Sequence, residues 1–187
     1  MQTIQTIMER RSTRGFSAQA LTQTELQTLA DVALASPSAR NTQRWHFSFV
    51  SNTELLDDFA NTMSAWMQEK TPVGQRGRFD DNDFHVFYHA PTVIFISAPS
   101  GDAAGRFDMI DCGIAVENLA LAAWDMGLGN VIVGLPTGLL NAPEGERFRK
   151  AFDFPEGYEF TIGICIGHNT VTKEAHPIGE NKISYIK

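Results

Sequence analysis

Arg10-Arg11-Ser12-Thr13-Arg14 gathers three guanidiniums and two hydroxyls into five consecutive residues. A guanidinium offers a rigid fork of donors and a serine hydroxyl a single one, so the stretch has the makeup of a phosphate site. Arginines at a helix end also complement its dipole, and a capped surface helix explains them as well. A second candidate is Ser36-Pro37-Ser38-Ala39-Arg40-Asn41-Thr42-Gln43-Arg44-Trp45-His46, rich in side chains that bond backbone or ligand. An ordinary helix-to-strand loop would read the same way. A third is Gly134, which closes the apolar run Val131-Ile132-Val133. A strand end without a side chain lets a flat ligand approach the backbone. His85 and His89 are four apart and would share a helix face, but no glutamate follows the first and no third ligand is evident. No metal site is expected there.

The element that must position these groups is a long helix from Phe107 to Met126, roughly 30 Å at the helical rise. Ile110, Ile114, Leu121 and Trp124 fall at helical spacing and alanines fill much of the remainder, so burial on most sides is expected. Asp111, Glu117, Asn118 and Asp125 make a bilayer-spanning role expensive. Gly127 and Gly129 stop the helix before the strand that ends at Gly134. Upstream, Ile4, Ile7 and Met8 mark a helix, and Thr22 with Glu25 forms a capping box for the next, which stops at Ser36-Pro37. Phe47 to Val50 alternates as a strand, and Glu54 to Met67 is amphipathic.

Thr71 to Asp83 loses all periodicity and reads as a mobile excursion of the kind that forms lids. Phe84, Phe87 and Tyr88 follow as core aromatics or as a cover over a ligand, the core being the commoner fate. Thr92 to Ser97 is a buried strand, and Ala98 to Gly105 a loop into the long helix. An irregular segment follows Pro136. Glu144 to Phe152 is a basic amphipathic helix, and Phe160 to Ile166 is another apolar strand. From His168 to Lys187 no helical period survives. Ile183, Tyr185 and Ile186 suggest an extended arm that needs a partner subunit to lie against.

The 187 residues suit one domain, 1–187, with 43% hydrophobic and 20% charged residues. A net charge of -7 argues against general nucleic-acid binding and against an anionic membrane surface. Cys112 and Cys165 sit in apolar runs and are expected as buried thiols. The first residues lead straight into a helical pattern with no secretory leader, so a cytoplasmic protein is expected. Two helices before the first strand and a helix-rich middle favour an α+β layer with four or five strands over a parallel α/β sheet.

Taken in order, these segments resemble the FMN-dependent nitroreductase family. The resemblance rests on Arg10 to Arg14, on Ser36 to Trp45, and on Asp111-Cys112-Gly113 through Glu117-Asn118 to Leu121-Ala122-Ala123. Gly127-Leu128-Gly129-Asn130 with Val133-Gly134, the turn Pro155-Glu156-Gly157-Tyr158, and Ile166-Gly167 before a tail with Lys173 and Pro177 complete it. It implies a mainly antiparallel sheet surrounded by helices, in an intertwined homodimer with FMN at the subunit interface. The long helix would pack on its twin and the arm would wrap the partner. Arg10 and Ser12, with Arg11 beside them and Lys173 from the tail, would hold the FMN phosphate. Arg14 would lie by the pyrimidine edge, where negative charge develops on reduction. Pro37, Ser38, Ala39 and Asn41 would come from the other subunit, and Gln43 would approach the ribityl chain or ring edge. The backbone of Ile132, Val133 and Gly134 would lie against the ring, with an N–H near N5.

Two positions depart from the family pattern. Arg44 stands where many relatives have proline, and Ala175 where a second basic residue often follows the Lys173 position, so Arg40 or Arg44 would have to compensate at the phosphate. The resemblance implies hydride transfer from NADH or NADPH through FMN to a nitroaromatic, quinone or similar flat acceptor, with ping-pong kinetics and no catalytic side chain. A flavin-binding redox module read by a protein partner is the alternative from another class. Enzymes of the same fold that dehalogenate, destroy flavin or oxidise peptide azolines are a third reading.

Overall fold

The structure, a computed structural model of the single chain, describes residues 3–186. Helix α1 (Thr3–Glu9) and helix α2 (Gln23–Leu34) precede strand β1 (His46–Val50), and helix α3 (Thr53–Lys70) leads to strand β2 (Thr92–Pro99). Helix α4 (Asp108–Asp125) then enters strand β3 (Gly129–Val133), short helices α5 (Thr137–Leu140) and α6 (Glu146–Ala151) follow, and strand β4 (Tyr158–Gly167) closes the sheet. The four strands run β1-β2-β4-β3, antiparallel at every pairing. Val93 of β2 faces Val50 on one side and Cys165 on the other.

Both faces of this sheet are covered, which is why its central strands β2 and β4 read as largely apolar runs and not as alternation. On one face Val93, Phe95 and Phe160 meet Leu56, Phe59 and Met63 of α3, with Phe148 of α6. On the other, Ile94, Ile96, Ile164 and Ile166 meet Leu29 and Ala33 of α2 and the buried side of α4. The Thr22–Glu25 capping box forms in full, and Asn52 caps α3 through the Leu55 amide. Both cysteines are free and buried, and burial raises the thiol of Cys112 to about 11.

Several boundaries move. β2 continues through Pro99, so the expected loop from Ala98 is shorter, because Ala98 and Pro99 pair with Glu159 and Tyr158. The irregular segment after Pro136 holds α5, and the helix expected from Glu144 begins as a short three-ten turn at Pro143–Gly145. Segment 71–83 carries a three-ten turn at Gly77–Asp80 whose Phe79 is 3% exposed, and Arg76 donates to the Thr71 and Gln68 carbonyls.

The largest correction concerns α4. It was expected to be buried on most sides, yet Met109 is 72% exposed, Ile110 57% and Ile114 38%. Gly113 lies between them with open space where a Cβ would stand. Its buried side is real, but nothing among the described residues covers this apolar stripe.

Candidate functional site

Residues 12 to 17 are stitched between the ends of β3 and β4. The Thr13 amide donates to the Asn130 carbonyl at 2.7 Å, Ser12 bridges Asn130 in parallel, and the Ser17 amide donates to the His168 carbonyl. The arginine cluster is thereby fixed beside the strand that ends at Gly134. From Asn130 to Gly134 is about 13 Å at the rise of a strand. A ligand with an anionic group at one end and a flat ring at the other would span it.

The three arginines have different surroundings. Arg11 donates to the Met8 and Arg10 carbonyls, which is the helix-capping role. Arg10 makes a loose ion pair with Glu117 of α4 at 3.7 Å. Arg14 is exposed, touches the Ser12 carbonyl at 3.3 Å, and has no carboxylate partner among the described residues. Its guanidinium lies over the ring of Tyr88, 5.9 Å from the centroid. Lys173 is exposed in the irregular tail, and no hydrogen bond or ion pair among the described residues links it to Arg10 or Ser12.

The loop after α2 is held at the other end of α4. The Ala39 amide donates to both carboxylate oxygens of Asp111 at 3.1 Å. Arg40, Asn41 and Gln43 all take positive φ, and the turn is closed by the Gln43 amide donating to Ser38 Oγ and by Gln43 Nε2 donating to Asn41 Oδ1. Pro37 lies exposed at the start of this loop. Arg44 is not available to an anion here. It donates to the buried Asp108 carboxylate at 3.1 Å and to the Ala103 carbonyl, which corrects the expectation that it compensates at a phosphate. The favourable place for Asp108 and Asp111 is the first turn of α4, where the helix dipole stabilises negative charge.

Within one chain the two halves of the expected set stay apart. Asp111 and Glu117, their respective anchors on α4, are separated by about 9 Å of helix. Among the described residues no hydrogen bond joins 10–14 to 37–43. Ile132 is half-buried, Val133 is buried, and Gly134 is exposed. A Cβ at Gly134 would meet only Ile162 Cδ1, at 3.7 Å. The backbone there is open to a flat ligand, Arg10 is only loosely paired with Glu117 and so can turn to a phosphate, and Arg14 offers a cation without a carboxylate partner among the described residues, so the residues present fit a flavin. An open cleft of about 520 Å³ lies elsewhere, along His46 to Asn52 and Ala151 to Asp153, and another of about 360 Å³ is lined by Gln43 and Trp45.

The histidine pair gains a third group that sequence spacing did not reveal. Asp57 of α3 brings a carboxylate to His85 and His89, and one ligand atom from each lies within 4.8 Å of the others. Both ring nitrogens of His85 are already engaged. Nδ1 accepts from the Phe87 and His89 amides, so the ring proton belongs on Nε2, facing Asp57 at 3.1 Å. A metal-bound histidine usually donates through its second nitrogen, and here that nitrogen accepts. The other feature missed is Arg78, whose Nη1 donates to the Tyr88 hydroxyl at 2.7 Å. The signal was a pair of arginines, Arg76 and Arg78, in an aspartate-rich loop.

The four-stranded antiparallel sheet with a long helix on one face defines the fold class. A family model described as the Nitroreductase family matches residues 7–168, and the chain belongs to that family. A solved nitroreductase from Desulfitobacterium hafniense DCB-2, described with bound FMN, is 30% identical with a TM-score of 0.88, covering 100% of both chains. A nitroreductase with bound FMN from Bacteroides fragilis NCTC 9343 superposes at a TM-score of 0.91 over 100% of both chains, and at 21% identity it supports the fold alone. The NADPH-flavin oxidoreductase of Vibrio harveyi is 27% identical over 187 residues, covering 94% of this chain and 69% of that protein.

Proposed function

We propose that this protein is an FMN-dependent oxidoreductase that takes hydride from NADH or NADPH and delivers it to a nitroaromatic, quinone or similar flat acceptor. The observation that carries the reading is the placement of the arginine cluster, fixed through Thr13 and Asn130 to the strand that ends in the open backbone of Gly134. Family membership and relatives described as binding FMN or using NADPH support the same reading.

FMN would supply the hydride chemistry. Arg10, Ser12 and Lys173 would hold its phosphate, with Arg10 exchanging its loose contact to Glu117 for a stronger one to a dianion. Arg14 would hold negative charge at the pyrimidine edge, so its cation favours the reduced cofactor. Val133 and Gly134 would present backbone to the ring. Donor and acceptor would use this open face in turn, which gives parallel double-reciprocal lines.

The working unit we infer is a homodimer. The uncovered stripe on α4 needs a partner, and so do Ile178, Ile183, Tyr185 and Ile186 of the tail, each at least 72% exposed. A twin would also bring the 37–43 loop of one chain to the arginines of the other. Light scattering of the purified protein tests this, and a monomer that still binds FMN would overturn it. The function itself is tested by the visible spectrum and its response to the two nicotinamide donors.

A further inference from the structure

Segment 71–83 is rich in acid, yet it leaves its second arginine without an acid partner. Asp80 accepts from the Gly74 amide and Asp81 from the Asp83 amide, while Arg76 is taken up by carbonyls. Arg78 instead stacks on aromatic rings, 4.8 Å from the Phe84 centroid and 5.2 Å from that of Tyr88. Its position is set from two sides, since Phe79 is buried just after it and packs edge-on against Phe84 at 5.0 Å. Arg14 approaches the same Tyr88 ring. Two guanidiniums therefore share one tyrosine, and among the described residues neither has a carboxylate partner in a chain of net charge -7.

Stacking alone is weak at exposed positions, and like charges brought together oppose it. The arrangement is better balanced with anions present. On the proposed function, Arg14 is satisfied by the flavin edge, which leaves one cation over. We propose that Arg78 is a specificity-determining residue that receives the anionic oxygen group, carboxylate or phosphate, of a substrate lying on the open face of the flavin. This rests on the flavin reading of the site. Arg78 is exposed, and its guanidinium has donors left beyond the one given to Tyr88. A planar fork of that kind suits carboxylate or phosphate oxygens, and an ammonium in its place would lose the stacked, bidentate geometry.

The test uses the flavin-loaded protein as purified, wild type and the variants Arg78→Gln and Arg78→Lys. One arm compares para-nitrobenzoate with neutral para-nitrobenzyl alcohol at fixed NADH. The other compares NADPH with NADH at fixed menadione, isolating the extra ribose phosphate. Arg78→Gln is expected to raise KM about tenfold for the more anionic member of at least one pair, para-nitrobenzoate or NADPH, the worth of one charge-assisted hydrogen bond near water, while kcat/KM for its counterpart, para-nitrobenzyl alcohol or NADH, stays within about twofold. Arg78→Lys should fall between the two. The arm that moves identifies the source of the anion. Equal loss for both members of each pair, or no loss in either arm, would overturn the proposal, provided flavin content and Tm match wild type. If wild type turns over neither donor, the redox reading fails by itself. Calorimetric titration of para-nitrobenzoate against para-nitrobenzyl alcohol then decides: binding selective for the anion and lost in Arg78→Gln supports the assignment, and equal binding rejects it.

Discussion

The two ends of β3 are both marked by glycine, for opposite reasons. At Gly129 a Cβ would meet the Asn169 Cβ at 2.8 Å and Thr13 Cγ2 at 2.9 Å, so the chain itself requires the missing side chain. At Gly134 the nearest atom is Ile162 Cδ1 at 3.7 Å, an ordinary contact, and the residue is exposed. The first glycine packs the arginine segment against the sheet. The second has no internal reason to be glycine, and a surface left bare where the chain does not need it points to something outside the chain. The same contrast runs along α4. At its start Asp108 and Asp111 are paired to Arg44 and to the Ala39 amide, whereas farther along Glu117 holds Arg10 only loosely and Arg14 has no acid among the described residues.

Substitution of the two glycines should separate them most sharply. Gly134→Val is expected to weaken FMN binding on the order of a hundredfold while Tm stays near wild type, because the added atoms enter ligand space and not protein. Equilibrium dialysis with a melting curve checks both halves, and retained flavin would end the assignment of Gly134. Gly129→Val should do the reverse in its first effect, destabilising the fold by about 2 kcal/mol through overpacking against Thr13 and Asn169, measurable by urea unfolding. Arg14→Ala is next in size. It should weaken FMN about tenfold and lower the flavin potential with little change in Tm, as read by photoreduction against a dye of known potential.

Glu117→Gln should have a smaller effect, of the opposite sign. An exposed pair at this separation contributes at most about 1 kcal/mol, so stability should barely change, while release of Arg10 should tighten FMN a few-fold. The smallest effect lies on the opposite side of the sheet from α4. His85 is held below its ordinary value of 6.5, first by burial and then by His89, against the pull of Asp57. The folded chain then binds fewer protons than the unfolded one, so stability is full above that value and declines as pH falls through it. Melting curves from about pH 8 to about pH 5 should show that slope, and His85→Asn should flatten it.

Much of this was legible where the cause was local. The Thr22–Glu25 box depends on residues three apart, and the apolar runs of β2 and β4 follow from burial on both faces of one sheet. What escaped the sequence depends on residues brought together across the chain. Arg44 and Asp108 are 64 residues apart, and Asp57 and His85 are 28 apart. Neither pair has a spacing that betrays it. The exposed stripe of α4 was misjudged for a related reason: apolar composition reports that a helix face is covered, without saying whether its own chain or another provides the cover. The candidate site was readable as motifs, through Arg10 to Arg14 and Gly134, and the resemblance already implied a division between subunits, but the separate anchoring of 10–14 and 37–43 along α4 needed coordinates.

The most direct measurement is the visible spectrum of the purified protein, recorded before and after NADH or NADPH is added under nitrogen. A flavin spectrum that bleaches with either donor and returns when menadione is added is the predicted result. A colourless protein that takes up no added FMN, or a yellow one that neither nicotinamide reduces, would contradict the account.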